Sequence, residues 1–229
     1  MKNKLFLVAV VIVVLFVGAF IFFKDDFQSL SQQAQTAPTL SAPQVESSFR
    51  VTPMDNSTLI KPHSLTKGPA HAKVTVVEFL DPECEACAAM APIVKKIMQE
   101  HGSDVKIVVR YMTLHRHSKY VANILEGARA QNKFWEALEM VFETQDRWAN
   151  HNNPKPEMIL EILKPLNLKN MDQIMADAKA GKYDQQITED HEDGKKVGAP
   201  GTPTFFVNGN MVPELGYAPL KAAIEARLK

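Results

Sequence analysis

The sequence predicts an α/β domain in which a helical block is inserted between a βαβ half and a ββα half. Three observations carry this: residues 74–112 read as strand, helix, strand; residues from about 118 to 197 keep a helical period; residues 201–228 read as a hairpin followed by a helix. Val74 to Leu80 is a β-branched run closed by Asp81-Pro82, the pattern of a buried strand. Met90, Ile93, Val94, Ile97 and Met98 recur at the spacing of one apolar helix face, with Pro92 inside that helix. Val105 to Met112 is a second strand, and a strand–helix–strand order makes a parallel pair.

The helical block follows. Tyr120, Val121, Ile124, Leu125 and Ala128 mark one amphipathic helix, and Phe134, Trp135, Leu138, Val141 and Phe142 mark another. Asn152-Asn153-Pro154 interrupts the pattern before short helices at Met158 to Leu163 and Met171 to Ala180. Glu189 to Lys196 reads as a solvated charged helix face. A strand after Thr202-Pro203 then meets an Asn208-Gly209 hairpin turn, with Met211-Val212 as the return strand and a final helix from Pro219 to Leu228.

Ahead of this domain, Leu5 to Phe23 is an apolar run of 19 residues broken only by Gly18. A bilayer span needs roughly 20 such residues, and a cleavable signal has a shorter apolar stretch ending in small residues. The run therefore reads as an uncleaved anchor within residues 1–26, or as an uncleaved signal. Lys2 and Lys4 precede it and place the rest of the chain outside the cytoplasm. Residues 27–57, rich in Ser, Gln, Thr, Ala and Pro, read as a flexible linker, and 58–229 as the folded domain.

Lys+Arg and Asp+Glu balance at 26 each. A nucleic-acid binder normally carries a basic face, so no nucleic-acid partner is expected. Two cysteines are too few for a disulfide scaffold or a structural zinc site. They stand three apart, Cys84-Glu85-Ala86-Cys87, at the strand-to-helix junction. A thiol in a helix's first turn sits where unpaired N–H groups and the macrodipole favour its anion. Cys87, one turn on, lies on the same face and deeper. This spacing suits dithiol–disulfide exchange, with Cys84 as nucleophile and Cys87 as resolving thiol. The competing readings are two inert buried thiols or half of a metal site.

Strand, CxxC, proline-bearing helix, second strand and a Thr-Pro before a hairpin together resemble the thioredoxin superfamily. The helical block between the two halves resembles its DsbA-type branch of exported thiol–disulfide oxidoreductases, over roughly residues 58–229. The resemblance implies a cis Thr202-Pro203 facing the cysteines and a Thr202 backbone free to pair with an extended substrate; the residues alone also allow a trans turn proline. It implies that Glu78 is a buried acid exchanging protons with Cys87, where strand alternation alone leaves a surface acid equally open. Glu85-Ala86 departs from the Pro-His of strongly oxidising members, and Thr202 from their valine. Both departures imply redox tuning away from strong oxidation.

The expected function is a membrane-tethered oxidoreductase exchanging disulfides with cysteines of exported proteins. It would sit single-pass in the cytoplasmic membrane through residues 5–23, with the catalytic domain facing the periplasm or cell exterior. A membrane or periplasmic thiol protein would reset the pair, and no cofactor beyond the Cys84–Cys87 disulfide is implied. The alternatives are a reductase or isomerase of the same fold, and a Cu(I)-binding thiol chaperone. His115 and His117 flank Arg116 after the second strand; they read as a weak chelate, or His115 as a group brought near the cysteines to help bind substrate.

Overall fold

Val, Ile and Phe residues dominate a five-stranded sheet in the computed structural model, which describes residues 56–229. The expected anchor and most of the linker lie outside the described residues. Among those described, no helix is long and apolar enough to cross a membrane. The elements in order are α1 (Asn56–Leu59), β1 (Leu65–Lys67), β2 (Val74–Leu80), α2 (Glu85–His101), β3 (Val105–Tyr111), α3 (Ser118–Arg129), α4 (Phe134–Glu143), α5 (Gln145–Trp148), α6 (Ile159–Ile162), α7 (Met171–Lys179), α8 (Asp184–Lys196), β4 (Thr204–Val207), β5 (Asn210–Met211) and α9 (Tyr217–Leu228).

The sheet order is β1-β3-β2-β4-β5. β2 and β3 are parallel, with Val74 beside Val105 and Leu80 beside Tyr111, as a helical crossover requires. β4 runs antiparallel to β2, pairing Phe79 with Thr204 and Val76 with Val207. Asn208 and Gly209 turn the chain between β4 and β5 with φ of 45° and 82°, a two-residue hairpin that needs positive φ at both positions. β1 was not visible in sequence. It is three residues long, only Leu65 is apolar, and it pairs antiparallel to β3 at the edge of the sheet.

Alternation along β2 splits the core in two. Val74, Val76 and Leu80 face the larger cluster, shared with Met90 and Ile97 of α2, Ile124 and Leu125 of α3, and Leu220 and Ile224 of α9. Val77 and Phe79 face the other layer, with Leu59, Val108, Met112, Val197 and Phe206. At about 25 cal/mol per Å² of apolar surface, burial of these side chains is the main force holding both layers. The inserted helices extend the first layer, where Trp148 is fully buried and donates its indole N–H to the Val141 carbonyl at 2.9 Å.

The charged run at 189–196 corrects the sequence reading. It lies in α8, and its Asp190 and Asp193 turn inward, 3% and 2% exposed. The reason is Arg110, a fully buried cation of β3. Its Nε donates to Asp190 at 2.5 Å, its Nη2 to Asp193 at 2.8 Å and its Nη1 to the Leu59 carbonyl at 2.7 Å. The Tyr111 N–H donates to Asp190 as well. A buried guanidinium must be paired or its desolvation dominates, so the two acids follow from the arginine. Gly194 allows the close approach, because a Cβ there would stand 3.1 Å from Phe79 Cδ1 and 3.3 Å from Met112 Sδ.

Candidate active site

Topology brings three loops to one edge. β2 ends at Leu80 and leads into Asp81–Cys84; β3, parallel to it, ends alongside and leads into 112–117; β4, antiparallel, begins there after Thr202-Pro203. Openings at the C-terminal ends of parallel strands are where α/β folds place their ligands. Cys84 N-caps α2 with φ −84° and ψ 123°, and its carbonyl accepts the first helical bond from Ala88 N–H at 3.1 Å. Both cysteines are free thiols. Cys84 keeps 7% of its surface exposed and Cys87 none, so only the first offers any sulfur to a large partner.

The Cys84 thiol donates to the Thr202 carbonyl at 3.3 Å, across a Thr202-Pro203 peptide that is cis. The Thr202 carbonyl thus lies directly against the Cys84 sulfur. Cys84 is held down from 9.0 to about 5, first by hydrogen bonding from the Cys87 thiol. Burial opposes this, while Thr202 and the backbone N–H groups of Cys87 and Ala86 add to it. Cys87 moves the other way. Burial pushes its thiol far above the usual range, and the Cys84 hydrogen bond and the Glu78 charge push in the same sense. The Asp81 N–H donates to its sulfur at 3.5 Å. One sulfur is therefore poised as an anion and the other as a protonated donor.

Glu78 is 5% exposed and lies on the α2 side of β2. Burial raises its carboxyl from 4.5 to about 8. This is the buried alternative of the two that strand alternation left open, and its charge reaches Cys87. Glu85 points outward and bonds to His151, with Nε2 to Oε1 2.6 Å apart. It is held below its usual range first by its own backbone N–H; burial opposes this, and His151 and His115 add to it. Ala86 is exposed.

Sequence reasoning missed the acids behind the loop. Asp81 is fully buried: Oδ1 accepts from Glu83 N–H at 2.8 Å and Ser118 Oγ at 2.5 Å, and Oδ2 from Leu114 N–H at 2.6 Å and His115 N–H at 3.1 Å. Glu83 accepts from the His117 N–H at 2.6 Å. The Asp-Pro-Glu preceding Cys84 was a usable signal, since short acids before a helix are cap formers. Gln145 of α5 donates to the Pro82 carbonyl at 3.2 Å and ties the insertion to the same loop. His115 comes near enough to Cys84 for the Cys84 charge to act on it. Among the described residues no group of three or more His, Cys, Asp or Glu is placed to hold a metal ion, which leaves a Cu(I) reading with the two thiols alone.

Comparison with known proteins adds a family and a fold. A family model described as Thioredoxin matches residues 61–226. Among solved structures, oxidised BdbD from Bacillus subtilis superposes with a TM-score of 0.64 at 24% identity, covering 72% of this chain and 92% of its own. A thioredoxin-like oxidoreductase from Silicibacter pomeroyi gives 0.65 at 24%, covering 76% and 99%. Wolbachia pipientis alpha-DsbA1 gives 0.61 at 21%, covering 74% and 91%. Among curated proteins, the Na(+)/H(+) antiporter NhaA 3 of Salinispora tropica is 30% identical over 172 residues, 71% of this chain. The NhaA antiporter of Herminiimonas arsenicoxydans is 30% identical over 143 residues. The chain spans about a quarter of the length of these curated relatives, at 25% and 22%.

Proposed function

This chain belongs to the thioredoxin family, and from that membership and its DsbA-like fold we propose that it is a thiol–disulfide oxidoreductase working through Cys84 and Cys87 on cysteines of exported proteins. The observation that carries the reading is the opposed pair of thiols beside a cis proline: Cys84 held at about 5 and reachable, Cys87 buried and strongly protonated.

The chemistry follows from that opposition. The Cys84 thiolate attacks one sulfur of a substrate disulfide; a new S–S bond forms, the old one breaks, and the substrate's other sulfur leaves as thiolate. Once Glu78 has lost its own proton, Cys87 passes its proton to that carboxylate and attacks Cys84, releasing the second substrate thiolate. Two electrons pass to the substrate and the protein ends as the Cys84–Cys87 disulfide. The same steps in reverse oxidise a substrate dithiol, and an external thiol protein resets the pair. Thr202 and Pro203 present the surface against which a substrate strand lies. Residues 5–23 would tether the domain outside the cytoplasm.

The test uses the soluble part, residues 58–229, with a disulfide-bonded test protein and a dithiol reductant. Cys84→Ala abolishes turnover. Cys87→Ala accumulates a mixed disulfide at Cys84 that mass spectrometry detects. A Cys87→Ala protein that gathers no adduct overturns the attack-and-resolve assignment.

A further inference from the structure

The cysteine motif carries an acid, Glu85, where it stands to weaken the neighbouring thiolate, and two more carboxylates, Asp81 and Glu83, lie just before it. A Cys84 anion among three carboxylates is electrostatically unfavourable. The structure brings two imidazoles to this spot from elsewhere in the chain. His151, in the turn after α5, places Nε2 2.6 Å from Glu85 Oε1. His115, in the loop after β3, places Nδ1 2.9 Å from Asp81 Oδ2, and the two rings stand 6.3 Å apart.

We propose that His115 and His151 are positioning residues for exchange at Cys84: an imidazole pair supplied from outside the cysteine motif, whose positive charge offsets the surrounding carboxylates and favours the reduced pair with its Cys84 thiolate. The inference rests on the thiol-exchange reading above and says how that same site is regulated.

The groups acting on His115 from the elements around it are Asp81, Cys84 and Glu83 of the β2–α2 loop. His115 in turn acts on Glu85, which His151 also holds. Arg116 is an exposed neighbour in its own loop. Burial works against the His115 cation, yet the Asp81 hydrogen bond and the charges of Asp81, Cys84 and Glu83 leave it easier to protonate than a free imidazole. One of those charges exists only in the reduced protein. Reducing the disulfide takes two electrons from two glutathione thiols, which become oxidised glutathione and give up two protons; Cys87 takes one, Cys84 stays a thiolate, and the other proton passes to solvent or to His115. The new anion draws a further fraction of a proton onto His115, so reduction and imidazole protonation favour each other.

Two measurements test this on residues 58–229: the equilibrium of the Cys84–Cys87 pair against glutathione as a function of pH, and the His115 ring titration by NMR in both redox states. In wild type the His115 titration midpoint is higher when the pair is reduced. At about pH 6, His115→Ala makes the pair roughly tenfold less oxidising and His151→Ala about threefold less, the exposed pair being more strongly screened. The His115 effect fades as pH rises through that ring's own titration, which the NMR experiment reads. His151 is 67% exposed, so its removal leaves the core intact even if loss of His115 loosens the Asp81 loop. In a Glu85→Gln background, His151→Ala causes no further change. A glutathione equilibrium unaltered by His151→Ala, or altered by His115→Ala equally at every pH, overturns the inference. A wild-type protein that does not equilibrate with glutathione at all overturns instead the thiol-exchange reading beneath it.

Discussion

Replacing Glu78 with Gln isolates the cost of keeping a carboxyl beneath the resolving thiol. The native carboxyl is raised from 4.5 to about 8 by burial. Between those values the folded protein holds a proton that the unfolded chain has already lost, so Glu78 lowers stability as pH rises through this window. Each pH unit of displacement corresponds to about 1.4 kcal/mol. The cost is therefore absent below pH 4.5, about 3 kcal/mol at pH 7 and ~5 kcal/mol above pH 8. Gln fits the same space and does not titrate. Denaturant midpoints of the oxidised proteins, in which neither thiol titrates, should show Glu78→Gln gaining on wild type from pH 4.5 to pH 8 and level thereafter. Any fixed offset from the buried amide cancels in the pH dependence. The same variant cannot accept the Cys87 proton, so release of substrate from the mixed disulfide slows by on the order of 10²-fold. A stability difference that does not change with pH refutes the burial argument. Unchanged resolution kinetics refute the proton-acceptor role separately.

Two further substitutions probe the surroundings. Arg110→Met leaves Asp190 and Asp193 buried without their partner and should destabilise the domain by about 3–5 kcal/mol in urea while leaving the Cys84 titration in place. Asp193 is held below its ordinary range by Arg110, Lys196 and Lys61 despite its burial, so the cluster's contribution is present above the ordinary carboxylate range and lost as pH falls through the depressed value. Thr202→Val removes the Thr202 side-chain hydrogen bond that helps steady the Cys84 anion. The thiolate absorbance should titrate upward from about 5, by roughly half to one pH unit.

What the sequence reveals of the fold is what repeats along it. The β2, α2 and β3 pattern is set by apolar periodicity over seven to seventeen residues, and the Asn208-Gly209 turn by a local demand for positive φ. β1 escapes because three residues carry no period and its pairing partner is more than forty positions away, Leu65 against Val109. α8 escapes in a different way. Its charges were visible, but which of them face inward depends on Arg110, eighty positions earlier. A buried ion pair between distant elements leaves no periodic trace in either of them.

The site divides along the same line. Cys84, Cys87, Glu78 and Thr202-Pro203 were legible because local chemistry or family resemblance marks them: a thiol pair at a helix start, an acid inside an apolar strand, a proline before a strand. Asp81, Glu83, His115 and His151 act through contacts that only the folded chain makes. Their arrangement changes the meaning of Glu85. Taken along the chain, that residue is an uncompensated anion beside the nucleophile; in space its Oε1 lies 2.6 Å from His151 Nε2. The surroundings of Cys84 therefore combine the motif's own Cys87 thiol and Ala86 N–H with Thr202, brought in from the loop before β4. Exchanging Glu85-Ala86 for another dipeptide alters two sets of contacts together, the thiolate's and those of His151.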